Sequence, residues 1–275
     1  MKTRRTSVAI HLFAFSGLAC ILLLFAVIAG GLVYAAFRGG TFTVFSALWA
    51  PAEGSYGILP MLGGTVLTAA VATALAIPLA FGILSCIWIY NIRFLRALLR
   101  FMSGIPTVVY GFCGLFILVP LFRNIWGGTG YSVFIVAVVL CLLILPTMTI
   151  IADSAFHSLL GQSGPPLTTA ALGIKKEKSF LYIALYTQRK WLLSAVMLSF
   201  GRAMGDTLIA LMLSGNTPIM PEGLFSSGRT LSGHISLLTA TDITPEIEFT
   251  LFLSCFILFM LSMIFSIIVR SLRSK

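Results

Sequence analysis

Arg202 lies eleven residues past Trp191 in an otherwise apolar stretch, within Gly201-Arg202-Ala203-Met204-Gly205-Asp206-Thr207. On insertion scales a guanidinium at mid-membrane depth costs at least about 2.5–3.5 kcal/mol, so it needs a partner or an aqueous path. Asp206 follows four residues later, one helical turn on, where the two charges can pair on one face. Gly201 and Gly205 repeat that spacing and would let a neighbouring helix come close. Two chemistries are open. The pair could be a neutralised glue between helices. Alternatively, Arg202 faces water and meets an anion through its planar fork of donors, with Asp206 orienting it. The second reading is favoured, because ionisable groups inside a membrane mark ion and substrate routes.

Two further segments carry information. In Gly104-Ile105-Pro106-Thr107-Val108-Val109-Tyr110-Gly111, Pro106 removes a backbone donor and the flanking glycines loosen the ladder. A broken helix at membrane depth lines a cavity; an ordinary proline-started helix is the alternative. In Pro165–Phe180, two prolines stop the preceding structure, a short helix Leu167–Leu172 follows, and Gly173 ends it before the basic run Lys175, Lys176, Lys178. This segment either lies on anionic lipid or docks in a groove of a cytoplasmic partner and transmits force.

The elements that position these residues are membrane spans. Of 275 residues, 59% are hydrophobic and 9% charged, against about 25% charged in soluble domains. No globular core hides that much apolar surface, so lipid is the solvent. Six runs reach the length of a span: Val8–Phe37, Leu59–Tyr90, Gly104–Phe122, Tyr131–Ile151, Trp191–Leu213 and Phe249–Val269. All must be helices, since no other open structure satisfies its backbone in lipid. The second run exceeds the bilayer and either tilts or begins outside the hydrocarbon at Pro60.

Lys2, Arg4 and Arg5, the Arg93/Arg96/Arg100 loop, the Lys175–Lys190 stretch and Arg270, Arg273 and Lys275 all fall on one side. By the positive-inside rule that side, with both termini, is cytoplasmic. The charge of +10 therefore reports membrane orientation; no basic face with interleaved aromatics suggests nucleic acid. The first apolar run is too long for a signal peptide and reads as a retained anchor. The expected organisation is residues 1–57 as an N-terminal span and outer loop, and 58–270 as a five-helix transport domain.

Cys20, Cys86, Cys113, Cys141 and Cys255 each sit in an apolar run and read as small hydrophobes. No metal-ligand spacing, cofactor motif or nucleophile–base set appears, and no GxxxxGK[ST] binds nucleotide, so the chain is read as a transport subunit rather than an enzyme. His157 follows Asp153 by four residues, which suggests a solvated pair.

These motifs, in this order, resemble the permease subunits of high-affinity phosphate ABC importers, of the PstC/PstA type. The resemblance rests on Gly57-Ile58-Leu59-Pro60 with Gly64-Thr65, on the Gly104–Phe112 and Gly201–Thr207 runs, on Ala170-Ala171-Leu172-Gly173, on Gly215-Asn216 and on Arg229-Thr230-Leu231. Gly215-Asn216 looks more like the C-type. The resemblance implies a type I ABC importer permease fold, all-α with six transmembrane helices. It implies a second homologous permease, a cytoplasmic ATPase dimer that hydrolyses ATP, and an extracytoplasmic phosphate-binding protein, in a bacterial inner membrane. It implies a substrate path through Arg202, Asp206, Thr207, Pro106, Thr107, Tyr110 and Asn216. The ATPase-coupling helix, about 165–180, would carry Thr168, Thr169, Ala170, Ala171, Leu172, Gly173, Lys175 and Lys176. The family has Glu where this chain has Thr169 and Asp206, and Pro where it has Tyr186; these departures bear on coupling and on the oxyanion carried. Another oxyanion (tungstate, molybdate, sulfate, phosphonate) or a carrier working alone are the other readings.

Overall fold

A computed structural model describes residues 2–37, 46–160, 173, 175–178, 180, 185–242 and 244–274. Side chains at 2–14, 18, 157–160, 176 and 272–274 are left out of that description. The first crossing is α1 (Lys2–Phe37), followed by a two-stranded antiparallel hairpin, β1 (Trp49–Ala50) and β2 (Ser55–Tyr56). Next come α2 (Leu59–Ile89) and α3 (Arg93–Gly104). The third crossing is one rod in three parts: α4 (Thr107–Cys113), a π turn over Gly114–Leu118, and α5 (Val119–Trp126). The long α6 (Val133–Leu160) leads into the one-turn pieces α7 (Lys176–Lys178) and α8 (Leu185–Thr187). Then follow α9 (Arg189–Gly205), α10 (Leu208–Leu213), α11 (Leu231–Leu238) and α12 (Pro245–Ser274). The mostly helical architecture expected from the sequence is thus adopted.

The helix α6 is the hub. Two thirds of its Val133–Phe156 window is buried (67%), against 6% for Phe15–Phe37 of α1. Its Val136, Leu140 and Ile144 lie in the main core with Ala69, Ala72 and Ala76 of α2, whose small side chains allow close packing. The N-terminal end of α6 is capped by a loop rather than by water. Val133 and Phe134 donate their N–H groups to the Ser226 and Leu224 carbonyls at 3.0 and 2.8 Å. This satisfies two of the donors that every helix start leaves orphaned. Phe225 of the same loop packs among Phe122, Trp126 and Phe134. At the periphery, α1 leans on α12, where Phe25 meets Phe256 and Phe259 and Gly31 leaves room for Phe252.

Three expectations change. The fifth crossing is not a continuous helix over Trp191–Leu213. It stops at Gly205, Asp206 is extended (φ −74°, ψ 124°), and the helix restarts at Leu208. Asp206 itself accounts for the break: its carboxylate accepts the Ile209 N–H at 2.9 Å, a local bond that competes with helix continuation. Five described helices are long and apolar enough to cross a membrane; α9 and α10, with 17 and 6 residues on either side of the break, are not among them. Second, the basic stretch after α2 is a helix, α3, with Arg93, Arg96 and Arg100 at helical spacing and Leu99 buried. Third, Pro106 is the cap of α4, so the proline-started helix is the reading that holds. Of the flanking glycines, Gly111 serves packing: a Cβ there would meet the Met212 sulfur at 2.7 Å, so α4 and α10 lie in close contact.

Candidate substrate path

Arg202 occupies the last turn of α9, on an exposed face. Its Nη1 donates to the Thr147 hydroxyl of α6. Thr147 follows Pro146, which has no N–H and so leaves the Leu142 carbonyl without its ladder donor. A proline followed by a threonine inside an apolar run was the available signal for this residue, which the sequence reading did not single out.

Around the guanidinium the broken elements converge. Its charge acts on Tyr110 and on Asp206. The Tyr110 hydroxyl donates to the Met102 carbonyl at 3.0 Å, tying the start of α4 back to the end of α3. Thr107 opens α4 and Thr207 caps α10, both half-buried, while Pro106 is exposed. Among the described residues no ion pair within 4 Å joins Arg202 to Asp206, because the helix ends between them. The Asp206 side chain caps α10, and its carbonyl accepts from Ser232 Oγ at 3.0 Å. Close approach by a neighbouring helix occurs only mildly at Gly201, where a Cβ would come 3.9 Å from Phe265; at Gly205 there is open space.

Asn216 belongs to a different constellation. It sits in the left-handed region (φ 54°), where Asn is tolerated better than most residues. Its amide donates to the Leu211 carbonyl at 2.7 Å and its Oδ1 accepts from Ser214. Arg229 donates twice to the Asn216 carbonyl, at 2.9 and 2.6 Å. The neighbouring Leu231 N–H donates to Thr65 Oγ1 at 2.7 Å, and a Cβ on Gly64 would meet the Arg229 carbonyl at 2.4 Å. Thus Gly64-Thr65, Gly215-Asn216 and Arg229-Thr230-Leu231 form one clasp, joining α2, the end of α10 and the start of α11. His234 is fully buried behind it, its Nδ1 3.4 Å from Arg229 Nη1 and its ring edge-on to Trp49. Burial, then the Arg229 charge, push the His234 imidazole down to about 3. Burial also lowers Arg229 from its ordinary value.

At the far end of α6 from the clasp, Asp153 is gripped by Arg96 through Nε and Nη2 at 3.1 and 3.4 Å, while the side chain of His157 lies outside the described residues. Thr168, Thr169, Ala170, Ala171 and Leu172 also lie outside them. Gly173 is exposed and left-handed (φ 68°), as a helix-ending glycine is. Lys175 is exposed and Lys176 opens α7. Phe180 is buried and stacks on Phe156 of α6 at 5.3 Å.

The chain is 31% identical over 237 residues to a probable ABC transporter permease, YqgH of Bacillus subtilis, a match covering 82% of this chain and 75% of that one. The chain belongs to the ABC transporter permease family. The permease is also 28% identical over 253 residues to the phosphate transport system permease protein PstC of Xylella fastidiosa, covering 82% of this chain and 76% of the relative. Among solved structures, it is similar in fold to a chain of the inward-facing MetNI methionine ABC transporter, with a TM-score of 0.56 and 14% identity over 82% of this chain and 99% of that one. No protein-family model matches the chain. The permease is therefore a multi-pass transport subunit, as read from its motifs.

Proposed function

We propose that this permease forms half of the phosphate path of an ATP-driven importer, with Arg202 as the anion contact. The observation that carries the reading is a guanidinium inside a broken span, on an exposed face, anchored through one nitrogen to Thr147. A fork held at one tine presents its other donors to an oxyanion. The PstC relatives, named for phosphate transport, support the choice of ion.

The partners are a second homologous permease, a cytoplasmic ATPase dimer that hydrolyses the ATP, and an extracytoplasmic phosphate-binding protein. Thr168–Lys176 is the face that meets the ATPase. Closure of the ATPases brings the cytoplasmic ends together, and the path opens outward to receive phosphate. Both termini are cytoplasmic, in a bacterial inner membrane, and residues 58–270 form the transport domain behind the N-terminal span 1–57. Asp206 and Thr207 start the outer half-helix beside Arg202, and Pro106, Thr107 and Tyr110 line the facing element; Asn216 sets the path's outer end.

The test is labelled-phosphate uptake by the reconstituted complex, with and without ATP and binding protein. Arg202→Gln is expected to lower uptake about ten- to hundredfold, the worth of a charge-assisted hydrogen bond, with normal assembly. Normal uptake by that variant would refute the anion-contact role. ATP hydrolysis without phosphate uptake would redirect the reading to another oxyanion, and flux with no ATPase bound would replace the importer by a carrier.

A further inference from the structure

We infer that Arg96 and Asp153 are positioning residues that make two arms move as one, so that a displacement of the cytoplasmic segment reaches Arg202 from both sides. The inference rests on the importer reading above.

The geometry begins at Phe180, which follows the basic cytoplasmic run and is buried against Phe156. Phe156 meets Trp88 of α2 at 6.0 Å, and the Arg96 guanidinium lies over that same indole at 5.3 Å. Arg96 then makes its two-pronged pair with Asp153, one turn of α6 before Phe156. The pair is sheltered, its side chains only 22% and 16% exposed, and it is seated on an aromatic face. It is therefore unlike the solvated surface pairs that contribute nothing measurable.

From this joint two rigid arms run inward. Along α3, six residues separate Arg96 from Met102, whose carbonyl holds the Tyr110 hydroxyl. Along α6, six residues separate Asp153 from Thr147, whose hydroxyl holds Arg202. Each arm is about 9 Å long at 1.5 Å per residue. They are matched levers, fixed together at the cytoplasmic end: the α6 arm ends on the Thr147 bond to Arg202, and the α3 arm on the Met102 carbonyl that holds Tyr110. A helix cannot stretch, so a shift at Phe156 and Trp88 is delivered to Thr147 and Tyr110 together while the pair holds. With the pair broken, α3 and α6 slide independently and the two contacts fall out of step. Chains of packed side chains, ion pairs and rigid helices are one physical means by which distant sites are coupled.

The experiment compares phosphate moved per ATP hydrolysed in proteoliposomes of the complete transporter. The variants are Arg96→Gln, Asp153→Asn, and the exchange Arg96→Asp with Asp153→Arg. The expected result is a fall in that ratio of about fivefold in each single variant, with ATPase activity kept and recovery in the exchange. An unchanged ratio overturns the proposal. So does a proportional loss of uptake and hydrolysis, which would make the pair merely structural. Should the single variants fail to assemble, Phe180→Leu, which keeps the bulk and removes the ring stack, must show the same fall.

A second readout needs no substrate. Gly205 has open space at its Cβ, so Gly205→Cys, in a background with the five native cysteines replaced, reports access to the path. ATP should change its maleimide labelling rate in the parent and not beside Asp153→Asn. An ATP response that survives Asp153→Asn overturns the joint. If the parent hydrolyses ATP, changes labelling and moves no phosphate, the phosphate reading fails while the joint is still judged.

Discussion

Replacing Thr65 by valine tests the clasp at a single atom. Thr65 is 1% exposed, and valine matches its shape, so neither a cavity nor a clash is introduced. What is lost is the oxygen that accepts the Leu231 N–H at 2.7 Å and donates to the Met61 carbonyl at 2.8 Å. The Met61 carbonyl keeps its helix donor. The Leu231 N–H, on a fully buried residue, keeps nothing. A buried donor left without a partner costs about 1–3 kcal/mol. At about 2–4 °C per kcal/mol for a chain of this length, the melting temperature should fall by roughly 2–12 °C. Thermal unfolding of the purified chain, followed by tryptophan fluorescence, is the assay, since Trp49 sits against the clasp through His234. Thr65→Ser keeps the oxygen and gives up one buried methyl, worth about 1 kcal/mol, and should melt above the valine variant. A valine variant that melts with the parent, or above the serine variant, would refute the reasoning.

Other outcomes follow from the same contacts. Gly64→Ala forces a Cβ to within 2.4 Å of the Arg229 carbonyl; backbone must shift, at a cost of about 1–3 kcal/mol, and the melting temperature should drop at least as far as for Thr65→Val. His234 is held neutral, pushed down to about 3, below its unfolded value of about 6.5. Its contribution to stability is full above pH 6.5 and is lost as pH falls toward 3. At pH 5 the loss is on the order of 2 kcal/mol, and His234→Leu should flatten melting temperature against pH over that window. Thr147→Val removes the anchor of Arg202 while leaving its charge, and is expected to lower phosphate uptake about three- to tenfold with assembly unchanged.

Much of the architecture was legible because its causes are local. Apolar runs need no partner to be read, and they located the long helices. The break at Asp206 was not legible, since a carboxylate four residues after an arginine reads as its ion-pair partner. Only the coordinates show it spent on the Ile209 N–H. Thr147 and α3 left signals that could have been used: a proline followed by threonine, and arginines at 93, 96 and 100 at the spacing of one helix face. The clasp was legible as three separate motifs and not as one object. Its central bond closes across 166 residues, a distance over which spacing says nothing. Asn216 makes its described bonds within that clasp, to Leu211, Ser214 and Arg229.

The π turn over Gly114–Leu118 has a consequence for how this span tolerates insertion and deletion. A π turn holds one residue more than an α-helix needs for the same rise and rotation. Deleting a residue elsewhere in Thr107–Trp126 turns everything beyond it by about 100°, swinging Gly111 off Met212 or Phe122 off its aromatic neighbours. Deleting one residue inside the turn lets it relax to an α-helix with both flanking faces still in register. The span carries a built-in spare residue, and shortened homologues of this helix should have lost it there.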